Sequence, residues 1–408
     1  MNSPADRMPS TVAPSFSTEY FTALLDGVTA ARNVLAQMAS PAAEVAERLL
    51  AGGRLFIASA RPDFVSEGFV RSGGLMLLEE CGASGSGPGP GDAVLLGWTD
   101  TEPEAEQMLF SRLAESGSFI VGIGPRPIVP PGQTQNTALD SLLASAPPLP
   151  ADLLRAFDGA AYPLVSLQNL MLFWAFTGEL VAALTRRGHM PAMYQSVLVP
   201  GARQRNERRG RRRIEAAPEI PPLAPSQLGS AYLDRLSDIL QVLTRRETTA
   251  IENVARTATM ALRQGHRICA FLISHFPVHQ WGAPGDPLVM HRLSQVHGDT
   301  PSIEELEREL RAGDLFFFLG YYNRPREAYA LARKRGATIA EIITGPATDA
   351  GPAPDQVIRP AWPYGDALVA VPQYDIPILP ASGIVQTAIY WAVVGTLAIS
   401  GIATDNRG

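Results

Sequence analysis

The chain has 408 residues, 46% of them apolar, enough for about two to four domains with real cores, which excludes disorder for most of its length. A formal net charge of −6 gives no electrostatic footprint for nucleic acid, and two cysteines, Cys81 and Cys269, make no disulfide framework.

The first residues, MNSPADRMPSTVAPSFS, lack the basic-then-apolar pattern of a secretory signal. They read as a disordered lead over 1–16, and a cytoplasmic location is the default expectation. A long amphipathic helix follows over about residues 17–51, closed by Gly52-Gly53, where glycine supplies the left-handed conformation that ends a helix. Arg54 to Ala58 makes a short apolar strand. Beyond the loop SGSGPGPGD come the strand AVLLGW, the helix EPEAEQMLFSRLAESG and the strand SFIVGIG. The second half gives RICAFLI, DLFFFLG, the helix PREAYALARKRG and TIAEIITG in the same order. Continuous rather than alternating apolar strands, separated by helices, predict parallel strands buried on both faces.

The chain is written twice. Pro163, Trp174 and Gly178 recur with identical spacing as Pro380, Trp391 and Gly395, and Tyr20, Gly53, Gly91-Asp92 and Gly117 pair with Tyr232, Gly265, Gly313-Asp314 and Gly336. These offsets, between 212 and 222 residues, are far longer than the period of about 20–50 residues of a solenoid, so each copy is read as a whole domain. The fold class is therefore α/β, with two tandem doubly wound parallel-sheet domains forming a pseudo-dimer. The first spans 17–201 and the second 230–402, joined by an Arg/Pro-rich linker over 202–229. Seven arginines, Arg203, Arg205, Arg208, Arg209, Arg211, Arg212 and Arg213, crowd that linker. A solvated connection or a contact for RNA or an acidic partner would both explain them, the first more simply.

No charge occurs from Ile376 to Thr404, long enough to span a membrane. Its repeat partner runs at once into Glu179 and Arg186, so both copies are read as core or domain-interface helices, with no membrane partner.

In doubly wound sheets the ligand sits beyond the carboxyl ends of the strands, which directs attention to the loops Ser59–Glu67, Thr99–Glu102, Ser274–Asp286 and Tyr321–Arg324. In and around these loops the residues Glu67-Gly68-Phe69-Val70-Arg71-Ser72-Gly73-Gly74-Leu75, the tail Gly188, Pro191, Ser196, Pro200, Gly201, Asn206, and the two strand-loop-helix-strand units resemble the SIS (sugar isomerase) domain proteins. The tandem arrangement is similar to the isomerase half of glucosamine-6-phosphate synthase.

That resemblance implies a flavodoxin-like fold and a sugar or sugar phosphate as ligand. It also implies sites completed across a dimer interface, hence one composite site between the halves and homo-oligomers as the expected assembly. Isomerisation needs a carboxylate to move a proton between carbons and a second group to serve the oxygens. Glu67 and His275 are the candidates, with Ser59, Arg71, Thr99, Thr101, Ser274, His279, Asn323 and Arg324 as ligand-holding groups. The family's Ser/Thr-rich phosphate turn is eroded here to Thr99-Asp100-Thr101-Glu102 and Tyr321-Tyr322-Asn323-Arg324-Pro325. An inactive pair acting as phosphosugar sensor or assembly subunit is the alternative. Pro277 separates His275 from His279 and no cysteine accompanies them, so no metal is expected, and no glycine fingerprint announces a cofactor.

Overall fold

A computed structural model describes residues 15–82, 87–126, 128, 141–144, 162–210, 213–273, 275–283, 286–298, 300–344 and 351–400. Residues 1–14 of the expected lead over 1–16, Arg211, Arg212 and the candidate Ser274 lie outside the described residues, whereas Ser15 and Phe16 already belong to the start of the first helix.

The first half opens with α1 (Phe16–Leu50), whose first turn is capped by the Ser15 side chain accepting from the Thr18 N–H. Then come β1 (Leu55–Ser59), α2 (Pro62–Gly68), β2 (Leu78–Glu80), β3 (Ala93–Gly97), α3 (Pro103–Glu115), β4 (Phe119–Gly124), β5 (Ser141–Ala144) and α4 (Tyr162–Thr185). After β6 (His189–Pro191), α5 (Ala202–Gly210) and β7 (Ile214–Ala216), the second half begins with α6 (Gln227–Val242) and, past a five-residue π turn, α7 (Thr248–Arg263). It continues through β8 (Ile268–Leu272), α8 (Phe276–Gln280), β9 (Met290–Arg292), a hairpin of β10 (Gln295–His297) with β11 (Thr300–Pro301), and α9 (Ile303–Glu309). The last elements are β12 (Leu315–Leu319), α10 (Arg326–Arg335), β13 (Thr338–Ile342), β14 (Gln356–Ile358) and α11 (Ser382–Ile399).

Both five-stranded sheets are parallel throughout. Their orders are β2-β1-β3-β4-β5 and β9-β8-β12-β13-β14, so each half has the 2-1-3-4-5 order of flavodoxin-like doubly wound folds. The central strands β3, β8 and β12 are buried along their whole length, as their unbroken apolar sequences require.

The two long apolar helices are α4, whose one charge is Glu179, and the charge-free α11. Both are long and apolar enough to cross a membrane, yet their apolar windows are 100% and 83% buried inside the protein. They pack against each other and against α1, which also lies along α6. The helix α4 also packs on α6, and glycine permits that approach: a β-carbon at Gly178 of α4 would sit 3.2 Å from the Gly229 nitrogen of α6.

The arginine run is not the uniformly solvated linker expected from its composition. Arg203 to Arg209 form α5, and Arg205 is buried there, with Nε and Nη2 on the Asp375 carboxylate at 2.7 and 2.8 Å and Nη1 donating to the Met193 carbonyl at 2.8 Å. Alternation of charged and small residues cannot reveal a partner 170 positions away.

Candidate active site between the halves

The Glu67–Arg71 stretch is a helix end and a turn. Pro62 fits the first turn of α2, and the helix stops at Gly68, after which Val70 takes a positive φ of 52°. Such a backbone is unusual for a β-branched residue and throws Arg71 across the interface between the halves.

Arg71 is almost fully buried and has partners from both halves. Its Nε donates to Glu67 Oε1 at 3.0 Å, Nη1 to the Tyr321 hydroxyl at 3.3 Å, and Nη2 to Asp366 Oδ2 at 2.9 Å and to Ser382 Oγ. Ser382 Oγ donates to Asp366 Oδ2 at 2.6 Å, while Asp366 Oδ1 accepts from the Ser382 and Ala381 N–H groups at 2.9 and 3.2 Å. Asp366 thus caps the start of α11 and pairs with the guanidinium, two uses that suit a carboxylate at a helix N-terminus.

Glu67 is 0% exposed, sealed beneath Arg71 and against α11, where a β-carbon at Gly383 would overlap its Oε1. Burial pushes its carboxyl up to about 7, with Arg71 opposing the shift and Asp366 reinforcing it. Its Oε2 is buried with no hydrogen-bond partner among the described residues.

His275, from the loop after β8, reaches across to the first half, its Nδ1 3.3 Å from the Ser66 carbonyl oxygen. Its backbone (φ 82°, ψ −147°) lies in a region that glycine favours. Burial, helped by the Arg71 charge, lowers its imidazole to about 3, so the ring is neutral at any physiological pH.

A cavity of about 430 Å³ opens above this cluster. Arg71 and Ser72 form one side, His275, Tyr321, Tyr322 and Asp366 another, and the segment Tyr194–Leu198 with Arg203 and Asn206 a third. Three non-glycine residues with positive φ, Val70, His275 and Asp366, lie on its wall. A second cavity of about 530 Å³ shares Val197, Leu198, Arg203 and Gly298 with the first and extends to Asn323 and Arg324. A third, of about 640 Å³, holds Ser59, His279 and the other side of His275.

The predicted residues are therefore distributed. Arg71 and His275 share the first cavity, Asn323 and Arg324 the second, and Ser59, His275 and His279 the third, whereas Glu67 lines none of them. Arg324 is engaged in a two-point pair with the buried Glu341 carboxylate, at 2.8 and 2.7 Å, which also accepts from the Tyr329 hydroxyl. Thr99 and Thr101 bond each other at 2.7 Å, and Glu106 reaches back from α3 to accept the Thr99 and Asp100 N–H groups at 2.8 and 3.0 Å. An internal carboxylate thus occupies the turn that would otherwise cradle an anion. Sequence reasoning missed Tyr194, Arg203, Asn206 and Asp366. The tail motif containing Asn206 carried the available signal for the first three; nothing in the sequence marked Asp366.

No family model matches the chain, and no curated protein does. Among solved structures it is similar to a proposed sugar binding protein from Salmonella typhimurium LT2, at 13% identity, covering 94% of this chain and 99% of that one with a TM-score of 0.47. It is similar also to the C-terminal domain of glucosamine-fructose-6-phosphate aminotransferase from Francisella tularensis, at 10% identity over 96% and 98% of the two chains and a TM-score of 0.47. A proposed phosphosugar isomerase from Clostridium difficile 630 gives 8%, 95%, 94% and 0.47. The chain's fold assignment rests on the strand order repeated in each half.

Proposed function

We propose that the protein is a SIS-type binder of a sugar or sugar phosphate, with one composite site in the cavity between its halves. The observation that carries this reading is the convergence of Arg71 from one half with His275, Tyr321 and Asp366 from the other on a single cavity of about 430 Å³. That volume lies within the range of about 300–1,000 Å³ usual for small-molecule sites, and its few polar groups among tyrosines and aliphatic side chains suit a polyhydroxylated ring. The neutral imidazole of His275 can donate to one hydroxyl or accept from another, and Tyr321 and Tyr322 offer ring faces. Strained backbone at three wall positions supports the same location, because such strain persists where surrounding structure holds it for a purpose.

Glu67, sealed from the cavity, favours a non-catalytic role as phosphosugar sensor or assembly subunit. A second reading, an aldose–ketose isomerase, draws on two observations: a carboxyl titrating at about 7 and a neutral histidine in the adjoining wall. In that reading Glu67 moves a proton from one sugar carbon to its neighbour once Arg71 swings aside, and His275 serves the hydroxyl oxygens.

The test is a thermal-shift screen of hexose, hexosamine, pentose and heptose phosphates beside the unphosphorylated sugars, since a ligand bound only by the folded state raises its stability. Stabilisation by one class, lost in Ser196→Trp, is the expected result. No shift with any sugar would refute ligand binding. Appearance of ketose from a bound aldose phosphate by NMR, abolished in Glu67→Gln while binding survives, would decide for the isomerase.

A further inference from the structure

We propose that the anionic group of the ligand is held by Arg203, at the junction of the first and second cavities, rather than at the turn following the second strand of either sheet. The proposal rests on the composite-site reading and specifies where a phosphate monoester would be anchored in it.

Each of the anchors expected from the sequence is already engaged, and Arg326, which also lines the second cavity, has a partner of its own. In the first half, Glu106 fills the turn with its own carboxylate and takes the backbone donors an anion would need. In the second, the Arg324 guanidinium makes a two-point pair with Glu341, which is fully buried and has no other cation beside it among the described residues. Moving Arg324 to a ligand would strand that carboxylate in the interior, a cost larger than a surface phosphate contact returns. Arg71 is shared by Glu67 and Asp366, so its charge is balanced before any ligand arrives.

Arg203 differs in each respect. It is exposed, makes no ion pair among the described residues, and lines both cavities at once. Its position is nevertheless well defined. Two and three residues further along α5, Arg205 is fastened to Asp375, and Asn206 clamps the cavity wall by accepting from the Gln195 N–H at 2.9 Å and donating to the Gln195 carbonyl at 2.8 Å. The helix is therefore bolted down on the face that carries Arg205 and Asn206, and Arg203 in its first turn remains on the cavity side. The first turn of a helix also carries uncommitted N–H groups and the positive end of the peptide dipole, which favour the same charge. Glu327 also lines the second cavity, a carboxylate that disfavours an anion near it.

The first cavity would then take the sugar ring, and Arg203 the phosphate at its mouth. Binding of inorganic phosphate, followed by ³¹P NMR in phosphate- and sulfate-free buffer, provides the test on the full chain, for wild type, Arg203→Gln and Arg203→Lys. Losing a charge-assisted contact is expected to weaken phosphate binding by about ten- to a hundredfold in the glutamine variant, with partial recovery in the lysine variant. Equal affinities for wild type and Arg203→Gln would overturn the assignment, as would the absence of phosphate binding to wild type. Titration with unphosphorylated hexoses in parallel separates the two ideas: a hexose that binds wild type and Arg203→Gln alike leaves the cavity reading intact while the anchor falls. Arg203 is exposed, so an unchanged melting temperature in the glutamine variant is the accompanying control.

Discussion

Glu67 gives the most quantitative prediction. Its carboxyl ordinarily titrates at 4.5 and in the folded chain is pushed up to about 7. Below 4.5 the folded and unfolded chains both hold the proton, and the burial of a neutral acid costs nothing extra. Between 4.5 and 7 the folded chain keeps a proton that the unfolded chain has released, so stability falls as pH rises and the loss is complete above about 7. At about 1.4 kcal/mol per unit, the loss amounts to about 3 kcal/mol, a substantial part of a typical net stability of about 5–15 kcal/mol. The physical cause is burial, which penalises the charged carboxylate; Asp366, drawing on the same guanidinium, reinforces the shift, while Arg71 opposes it. Glu67→Gln imitates the protonated acid and keeps the carbonyl that accepts from Arg71. Urea denaturation should find the variant within about half a kcal/mol of wild type near pH 4.5 and more stable by about 3 kcal/mol near pH 8. A variant less stable by the same amount at both pH values would refute the reasoning, because it would show Glu67 to be ionised throughout and held by Arg71.

Arg71→Ala leaves both carboxylates buried without their cation and is expected to cost about 3–5 kcal/mol, measured in the same denaturation assay; a loss under about 1 kcal/mol would mean that the cluster is solvated. Gly383→Ala drives a methyl into the Glu67 carboxylate and should destabilise by about 1–3 kcal/mol, whereas the same change at Gly188, where a β-carbon meets nothing within 4 Å but φ is +71°, should cost only the backbone strain of about 1 kcal/mol. Glu106→Gln withdraws the carboxylate from the Thr99–Asp100 turn, costing about 1–2 kcal/mol while leaving ligand affinity at the interface cavity unaltered in calorimetry.

The repeat made much of this fold legible. Apolar strands such as DLFFFLG and the paired glycines fixed which segments correspond, and the identical strand orders follow from that correspondence. The motif puts Glu67 and Arg71 four positions apart, and they pair in the structure across the end of α2. What sequence could not supply is the closure of that pair by Asp366 and Ser382, 295 and 311 residues from Arg71, because such contacts depend on how the halves dock rather than on any local pattern. The Thr99 turn is the opposite case. Its hydroxyls resemble an eroded phosphate cradle, and a residue seven positions on, Glu106, accepts from that of Thr99, which in turn bonds that of Thr101. Arg203 went unnoticed as a ligand group because it stands in a run of arginines whose composition reads as solvated, and only the anchoring of Arg205 and Asn206 gives it a fixed direction.

The central claim is that one ligand site lies between the halves, and a crystal structure with whichever sugar or sugar phosphate gives the largest thermal shift tests it most directly. Density for the ligand in the cavity bounded by Arg71, His275 and Tyr321, with polar atoms within about 3 Å of at least one of them, is the predicted result. Ligand bound instead within one half alone, at the Thr99 turn or in the cavity beside Ser59 and His279 with the interface cavity empty, would contradict it.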